Sequence, residues 1–420
     1  MTTPSRPAAQ RYLPSLVLLT SLFFMWGLIT SLNDILVPHL KAIFTLNYVQ
    51  AMLIQFCFFG AYFVTSFPAG QLVERIGYQK GMVLGLVVAG LGCLGFYPAA
   101  AAQSYAVFLA SLFVLASGIT LLQVAANPCV AQLGPSETSA SRLNLTQAFN
   151  SLGTTVGPLL GAGLILSAAA PGATDVAHEV KTVQLPYVAL CLLLCAIAAV
   201  FALIRLPLTA AEAEHASDGS DGANTSLWAA RHLVLGVGAI FLYVGAEVSI
   251  GSFLVNFMAQ PEIGGLPENV AGRYLSFYWG GAMLGRFVGS AVLKKVAAGK
   301  VLAFNAVLAI VLLLLTIVAS GSVAMWAVLC VGLCNSIMFP TIFTLAIAKL
   351  GARTGEGSGA LCMAIVGGAI VPVLMGFVAD HTNLTLSFIV PVACYAYIAH
   401  YGWRGCAVSS AAANSYTRAP

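Results

Sequence analysis

The sequence predicts an all-α integral membrane protein, with twelve transmembrane helices in two six-helix pseudo-repeated bundles. Three observations carry this. Of 420 residues, 18 are Lys or Arg and 14 are Asp or Glu, or 8%, where a soluble domain carries about 25% charged residues. Hydrophobic residues make up 60% of the chain and the mean hydropathy is +0.93. Apolar runs of roughly 20 residues, enough to cross about 30 Å of hydrocarbon, recur from end to end. A soluble enzyme, a disordered chain and a nucleic-acid binder are excluded.

Windows of about 19 residues place the spans near 15–40, 48–73, 81–100, 104–132, 140–168, 186–206, 231–258, 271–294, 300–320, 322–350, 356–379 and 385–404. The first is too long for a cleaved leader and no small-residue cleavage site follows it, so it is expected to remain in the membrane. The second ends at Glu74-Arg75-Ile76-Gly77, the fourth at Gly134-Pro135-Ser136-Glu137 and the fifth at Pro171-Gly172-Ala173, where charge, Gly and Pro break the run. After the sixth comes the longest hydrophilic stretch, 207–230, with Glu212, Glu214, Asp218 and Asp221 among Gly, Ser and Ala. Such a composition cannot build a core and reads as a flexible linker. The expected organisation is a six-helix bundle over 1–206, the linker, a second bundle over 231–406 and a tail over 407–420.

Orientation follows from the bases, which are retained on the cytoplasmic side. With the N-terminus inside, only Lys41, Lys181 and Arg273 fall outside and the other fifteen of the 18 fall inside. Both termini are therefore expected in the cytoplasm, of a bacterial inner membrane. The net charge of +4 is an orientation signal, so no nucleic-acid partner is expected. The bilayer and a small molecule are, for a protein working as a monomer.

The halves show weak similarity. Phe24-Met25-Trp26-Gly27 resembles Leu242-Tyr243-Val244-Gly245, Gln132-Leu133-Gly134 resembles Lys349-Leu350-Gly351, and Pro158 and Gly161 have counterparts in Pro372 and Gly376. Repeated six-helix halves are the plan of many secondary transporters, which bind substrate near the bilayer midplane between the repeats.

Polar residues inside the spans carry the functional signal. Twelve of the 14 acids lie in loops or at helix ends; Asp34 and Glu247 do not. A charge at the bilayer centre costs roughly 2.5–3.5 kcal/mol even on the permissive insertion scale, so each needs a reason to be there. No Lys or Arg is expected mid-span beside either, which marks both as candidates to bind H+ or Na+. Gln123 and Asn127 are i,i+4 in the fourth span, and Asn144 and Gln147 are i,i+3 in the fifth, so each pair shares a helix face. With Asn33 beside Asp34, the first half offers several amides. The second adds Asn256, Tyr278, Trp279, Asn305 and Asn335. Amides both donate and accept hydrogen bonds, and with aromatic faces they suit a neutral polyhydroxy ligand.

Other chemistries find little support. The i,i+4 pairs Cys191/Cys195 and Cys330/Cys334 lack an accompanying His or carboxylate, and the ten cysteines read as small packing residues, so no metal, cofactor or disulfide framework is expected. The six histidines sit at span ends or in loops. No phosphate-binding Walker loop or HExxH motif occurs, and no enzyme is expected.

Motifs extend this reading. The run Gly70-Gln-Leu-Val-Glu74-Arg75-Ile-Gly77 resembles the cytoplasmic loop motif of the major facilitator superfamily, with Glu74 where Asp is commoner and Tyr78-Gln79 replacing the usual basic pair. More specific are Phe23-Phe24-Met-Trp26-Gly27 through Ser31-Leu-Asn33-Asp34-Ile-Leu-Val-Pro38, Leu122-Gln123-Val-Ala-Ala-Asn127-Pro128, and Arg142-Leu-Asn144-Leu-Thr-Gln147-Ala-Phe149-Asn150-Ser-Leu-Gly153. With Tyr243-Val-Gly-Ala-Glu247 and Cys394-Tyr-Ala-Tyr-Ile-Ala, they resemble the fucose–galactose–hexose:cation symporter family over nearly the whole chain. The resemblance implies the major facilitator fold, cation coupling at Asp34 and sugar binding at Gln147. It also implies that Gly70, Glu74, Arg75 and Gly77 help hold the cytoplasmic ends of helices together. The fucose branch carries Glu where this chain has Gln123, which resembles instead the glucose/galactose branch, with its N-acetylglucosamine carriers.

The expected function is therefore hexose uptake by cation symport through alternating access, most closely glucose or galactose. The alternatives are an N-acetylglucosamine or fucose symporter, a sugar or drug efflux antiporter, and a membrane sensor or scaffold on a transporter fold.

Overall fold

The computed structural model describes residues 8–44, 48–102, 104–161, 176–204 and 226–407, and side chains over 12–31, 53–54, 56–102, 104–157, 184–204, 226–267 and 270–407. Most of the linker and the tail, and the side chains of Asn33 and Asp34, lie outside the described residues. Among those described, regular structure is entirely helical. The first six spans are α1 (Ala8–Phe44), α2 (Tyr48–Ile76), α3 (Tyr78–Ala101), α4 (Tyr105–Gln132), α5 (Ser139–Gly161) and α6 (Val176–Leu203). The next three are α7 (Arg231–Ala259), α8 (Glu268–Val292) and α9 (Ala298–Val318).

The last three spans, expected as continuous helices, are each interrupted. The tenth is α10 (Gly321–Asn335) and α11 (Met338–Ala346); the eleventh is α12 (Thr354–Met363) and α13 (Gly367–His381), joined by a 3-10 turn. The twelfth is α14 (Leu384–Ser387) and α15 (Ile389–His400), ending in a wide turn over Tyr401–Gly405. Two breaks have a covalent cause. Proline lacks the N–H that would reach four residues back, and its ring crowds that carbonyl. Pro340 displaces Ser336, just past the end of α10, and Pro391 displaces Ser387, the last residue of α14.

Ten stretches among the described residues are long and apolar enough to cross a membrane. The expected spans missing from that set are the fifth and eighth, α5 and α8. α8 carries Arg273 and Arg286, so polarity within the span costs it hydropathy, whereas the described side chains of α5 reach only Gly157, short of the apolar second half of the fifth expected span.

The chain forms two compact units, Met1–Gly134 with Phe149–Glu214, and Pro135–Ala148 with His215–Pro420. In the first, α3 and α4 meet along small residues: a side chain at Gly92 would collide with the Leu115 backbone, and one at Gly118 with the Ala89 backbone. Lipid tails are as apolar as Leu, so membrane helices associate through such close van der Waals packing. The same device joins α1 to α5, where Gly27 faces the Asn150 carbonyl and Gly153 the Phe24 carbonyl. Asn150 Nδ2 also donates to Phe23 O at 2.9 Å.

In the second unit Gly367 of α13 meets the Phe241 carbonyl of α7, and Gly332 of α10 the Tyr278 carbonyl of α8. The start of α5 belongs here: the Ser141 hydroxyl donates to Ser290 O at 2.5 Å.

Gln79 shows how a loop motif also closes a helix. Its Nε2 donates to Phe201 O at 2.7 Å and Ile204 O at 2.6 Å, at the C-terminal end of α6 where carbonyls have no intrahelical donor. Gln79→Ala is expected to fray that end and cost about 1 kcal/mol. Hydrogen exchange confined to the last turn of α6 would show it, and unchanged protection there would refute it.

Candidate functional site

The candidate residues fall into both units. In the first, Gln123 is 9% exposed and Asn127 fully buried, one turn apart on α4. The Gln123 Oε1 has no hydrogen-bond partner. A buried acceptor that no protein donor meets costs about 1–3 kcal/mol unless water or a ligand supplies the hydrogen bond.

The loop motif sits between α2 and α3. Gly70 is buried on α2, Glu74 and Arg75 are exposed, and Gly77 turns the chain at φ +83°, where a side chain would be strained. The turn is closed by Gly77 N–H to Val73 O at 2.8 Å and Gly81 N–H to Gly77 O at 3.0 Å.

In the second unit Asn144 and Gln147 are buried on the first turns of α5. Asn144 Nδ2 donates to Ala140 O at 2.9 Å and to the Thr341 hydroxyl of α11 at 3.3 Å, leaving its buried Oδ1 without a donor. Trp279 of α8 is 45% exposed, with its ring 5.1 Å from and nearly perpendicular to that of Tyr278, and over Gly251 of α7, where a side chain would press the indole. It keeps an aromatic surface open. Asn256 is exposed. Asn305 Nδ2 bonds back to Val301 O of its own helix.

Asn335, grouped by the sequence with the sugar contacts, is the buried node of a tyrosine cluster. Its Oδ1 accepts from the Tyr395 hydroxyl at 2.6 Å and its Nδ2 donates to the Tyr278 oxygen at 2.8 Å. Tyr278 in turn donates to the Glu247 backbone carbonyl at 3.3 Å. Tyr243, one turn before Glu247 on α7, donates to Glu247 Oε1 at 2.8 Å and leans on Asn335 O at 3.2 Å. Glu247 is thus met by Tyr243 of α7 at its carboxylate and by Tyr278 of α8 at its backbone carbonyl, with Asn335 of α10 bonded to Tyr278 and Tyr395 of α15 to Asn335.

Arg286 lies two turns along α8 from Tyr278 and donates through Nε to Ser336 O at 3.1 Å. From sequence, Arg286 belongs to the inner end of the eighth span.

Comparison with known proteins agrees with this architecture. The family model of the Major Facilitator Superfamily matches residues 18–370. A Brucella abortus protein named glucose/galactose transporter is 57% identical over 391 residues, covering 93% of this chain and 94% of its own. The Escherichia coli L-fucose-proton symporter is 36% identical over 408 residues, covering 93% and 92%. The crystal structure of the E. coli fucose:proton symporter FucP superposes with a TM-score of 0.84 at 34% identity, over 95% of this chain and 100% of that one. The motifs, the helical architecture and these relationships together place the chain in the Major Facilitator Superfamily and, within it, in the fucose–galactose–hexose:cation symporter family.

Proposed function

We propose that this multi-pass membrane protein takes up a neutral hexose, glucose or galactose, by cation symport with alternating access. It would work as a monomer in a bacterial inner membrane with both termini cytoplasmic, and without a cofactor. The observation that carries the polyhydroxy substrate is the pair of buried amide oxygens, Gln123 Oε1 and Asn144 Oδ1, that no protein donor meets. Sugar hydroxyls supply such donors, and the exposed Trp279 ring suits the apolar face of a pyranose. The Brucella relative's name supports glucose or galactose. Gln123, Asn127, Asn144 and Gln147 contact the hydroxyls, and Asp34 takes the coupling H+ or Na+.

The test is uptake of labelled glucose, galactose and N-acetylglucosamine into proteoliposomes, with proton and sodium gradients imposed separately. Accumulation of glucose or galactose under one gradient is expected. No accumulation of any sugar under either would sink the proposal. Gln123→Ala and Gln147→Ala are each expected to weaken half-saturation for sugar by about tenfold, the loss of one or two hydrogen bonds. Unchanged affinity in both would put the pocket elsewhere.

A further inference from the structure

We infer that the wide turn closing the twelfth span is a binding site for the headgroup of an anionic phospholipid, seated on Trp403 and Arg404. Within the turn Tyr401, Gly402 and Gly405 are buried, and Cys406 N–H reaches back to Tyr401 O at 2.8 Å, one residue further than in an α-helix. The Tyr401 hydroxyl donates to His232 O, at the start of α7, at 3.2 Å. A side chain at Gly402 would strike the Gly299 and Ala303 backbones of α9. With these three residues fixed inward, the other two are turned out. Trp403 is 78% exposed and Arg404 is exposed beside it. Together with His400 and Ala399 they line an open hollow of about 280 Å³.

Charge decides what fits there. The starts of α7 and α9 meet the turn, and His232 Nε2 lies 2.8 Å from Ala348 O just past α11, so these ends gather at one place. That end of the unit carries Arg231, Lys294, Lys295, Lys300, Lys349 and Arg404, with no ion pair to any of them among the described residues. Its one described acid, Glu356, is already paired with Arg353 at 2.7 Å. These bases belong to the cytoplasmic side in the orientation proposed above, so the site rests on that reading and faces the inner leaflet. A phosphate offers a guanidinium two acceptor oxygens, and Lys300 follows Gly299, which packs on the Gly402 carbonyl. An indole, apolar in its body with one N–H, sits at headgroup level. A soluble anion would engage the bases and leave the Trp403 ring in water. A phospholipid engages both, and basic pockets on the cytoplasmic side of membrane helices take such headgroups.

Native mass spectrometry of the full-length protein in detergent, titrated with phosphatidylglycerol or with phosphatidylcholine of the same acyl chains, tests this. The parent is expected to prefer phosphatidylglycerol by about twentyfold, and Arg404→Gln and Lys300→Gln each to cut that preference about fivefold, as one base contributes near an anionic headgroup. Trp403→Ala weakens both lipids alike, because the ring meets what they share. Lys349→Gln, at the same end but off the turn, keeps the parental preference. All four side chains are exposed, so the variants fold. A Lys349→Gln loss equal to that of Arg404→Gln makes the attraction diffuse and overturns the inference, as does Trp403→Ala without effect. So do displacement of the lipid by excess inorganic phosphate, which makes the ligand a free anion, and a doubled mass lost in Trp403→Ala, which makes the occupant a second copy. Binding in detergent does not depend on orientation. An impermeant thiol label on Ala407→Cys is expected to react only in opened cells; reaction from outside overturns the inner-leaflet placement and the proposed orientation together, with the lipid preference still decided by the spectra.

Discussion

Asp34→Asn is expected to reduce the sugar gradient to unity, leaving equilibrative exchange in place. The amide has the shape of the carboxyl group but neither takes up a proton nor offers a charge to Na+. Since each tenfold of accumulation represents about 1.4 kcal/mol drawn from the ion gradient, removing the ion site removes the whole of that work. Counterflow needs only that the loaded carrier reorient, so it continues. Net accumulation and exchange, measured on the same proteoliposomes, separate the two quantities. Accumulation at the parental level in Asp34→Asn would move coupling to another group.

Gly118→Leu is expected to yield no monodisperse folded protein. The position lies at the closest approach of α4 to α3, where even a Cβ would strike the Ala89 backbone. Relief by sliding is blocked, because Gly85 and Gly92 of α3 are seated against the Leu122 and Leu115 backbones of α4 in the same way. Overpacking in a side-chain core costs about 1–3 kcal/mol, and here the obstacle is backbone, which cannot rotate aside. No hydrophobic gain between helices compensates in lipid. Gly60→Leu is the matched control, since nothing lies within 4 Å of a Cβ there, and it is expected to purify like the parent. Size-exclusion profiles of the two variants decide it; a folded Gly118→Leu protein would refute the packing argument.

Span count, topology signals and the family motifs were legible in the sequence because they are local or additive. Hydropathy sums over about 20 neighbours regardless of what they touch, and 420 residues with 8% charge leave little choice of solvent. Asp34 and Gln147 stand out by type and by motif for the same reason. The breaks were half legible. Pro340 and Pro391 are visible in the sequence, but whether a proline kinks a helix or parts it depends on whether donors exist for the freed carbonyls. At the Pro340 break that donor, Arg286 Nε to Ser336 O, comes from another helix.

The scarcity of charge therefore determined, by itself, that this chain lives in a membrane, that it has about twelve crossings and that Asp34 and Glu247 need explaining. Only the tertiary structure decided what surrounds Glu247. It placed Asn335 in a node bonded to Tyr278 and Tyr395, and Arg286 on the Ser336 carbonyl. The physical reason is distance along the chain. Glu247, Tyr278, Asn335 and Tyr395 belong to four helices that meet only after packing, and no periodicity within any one helix records that meeting.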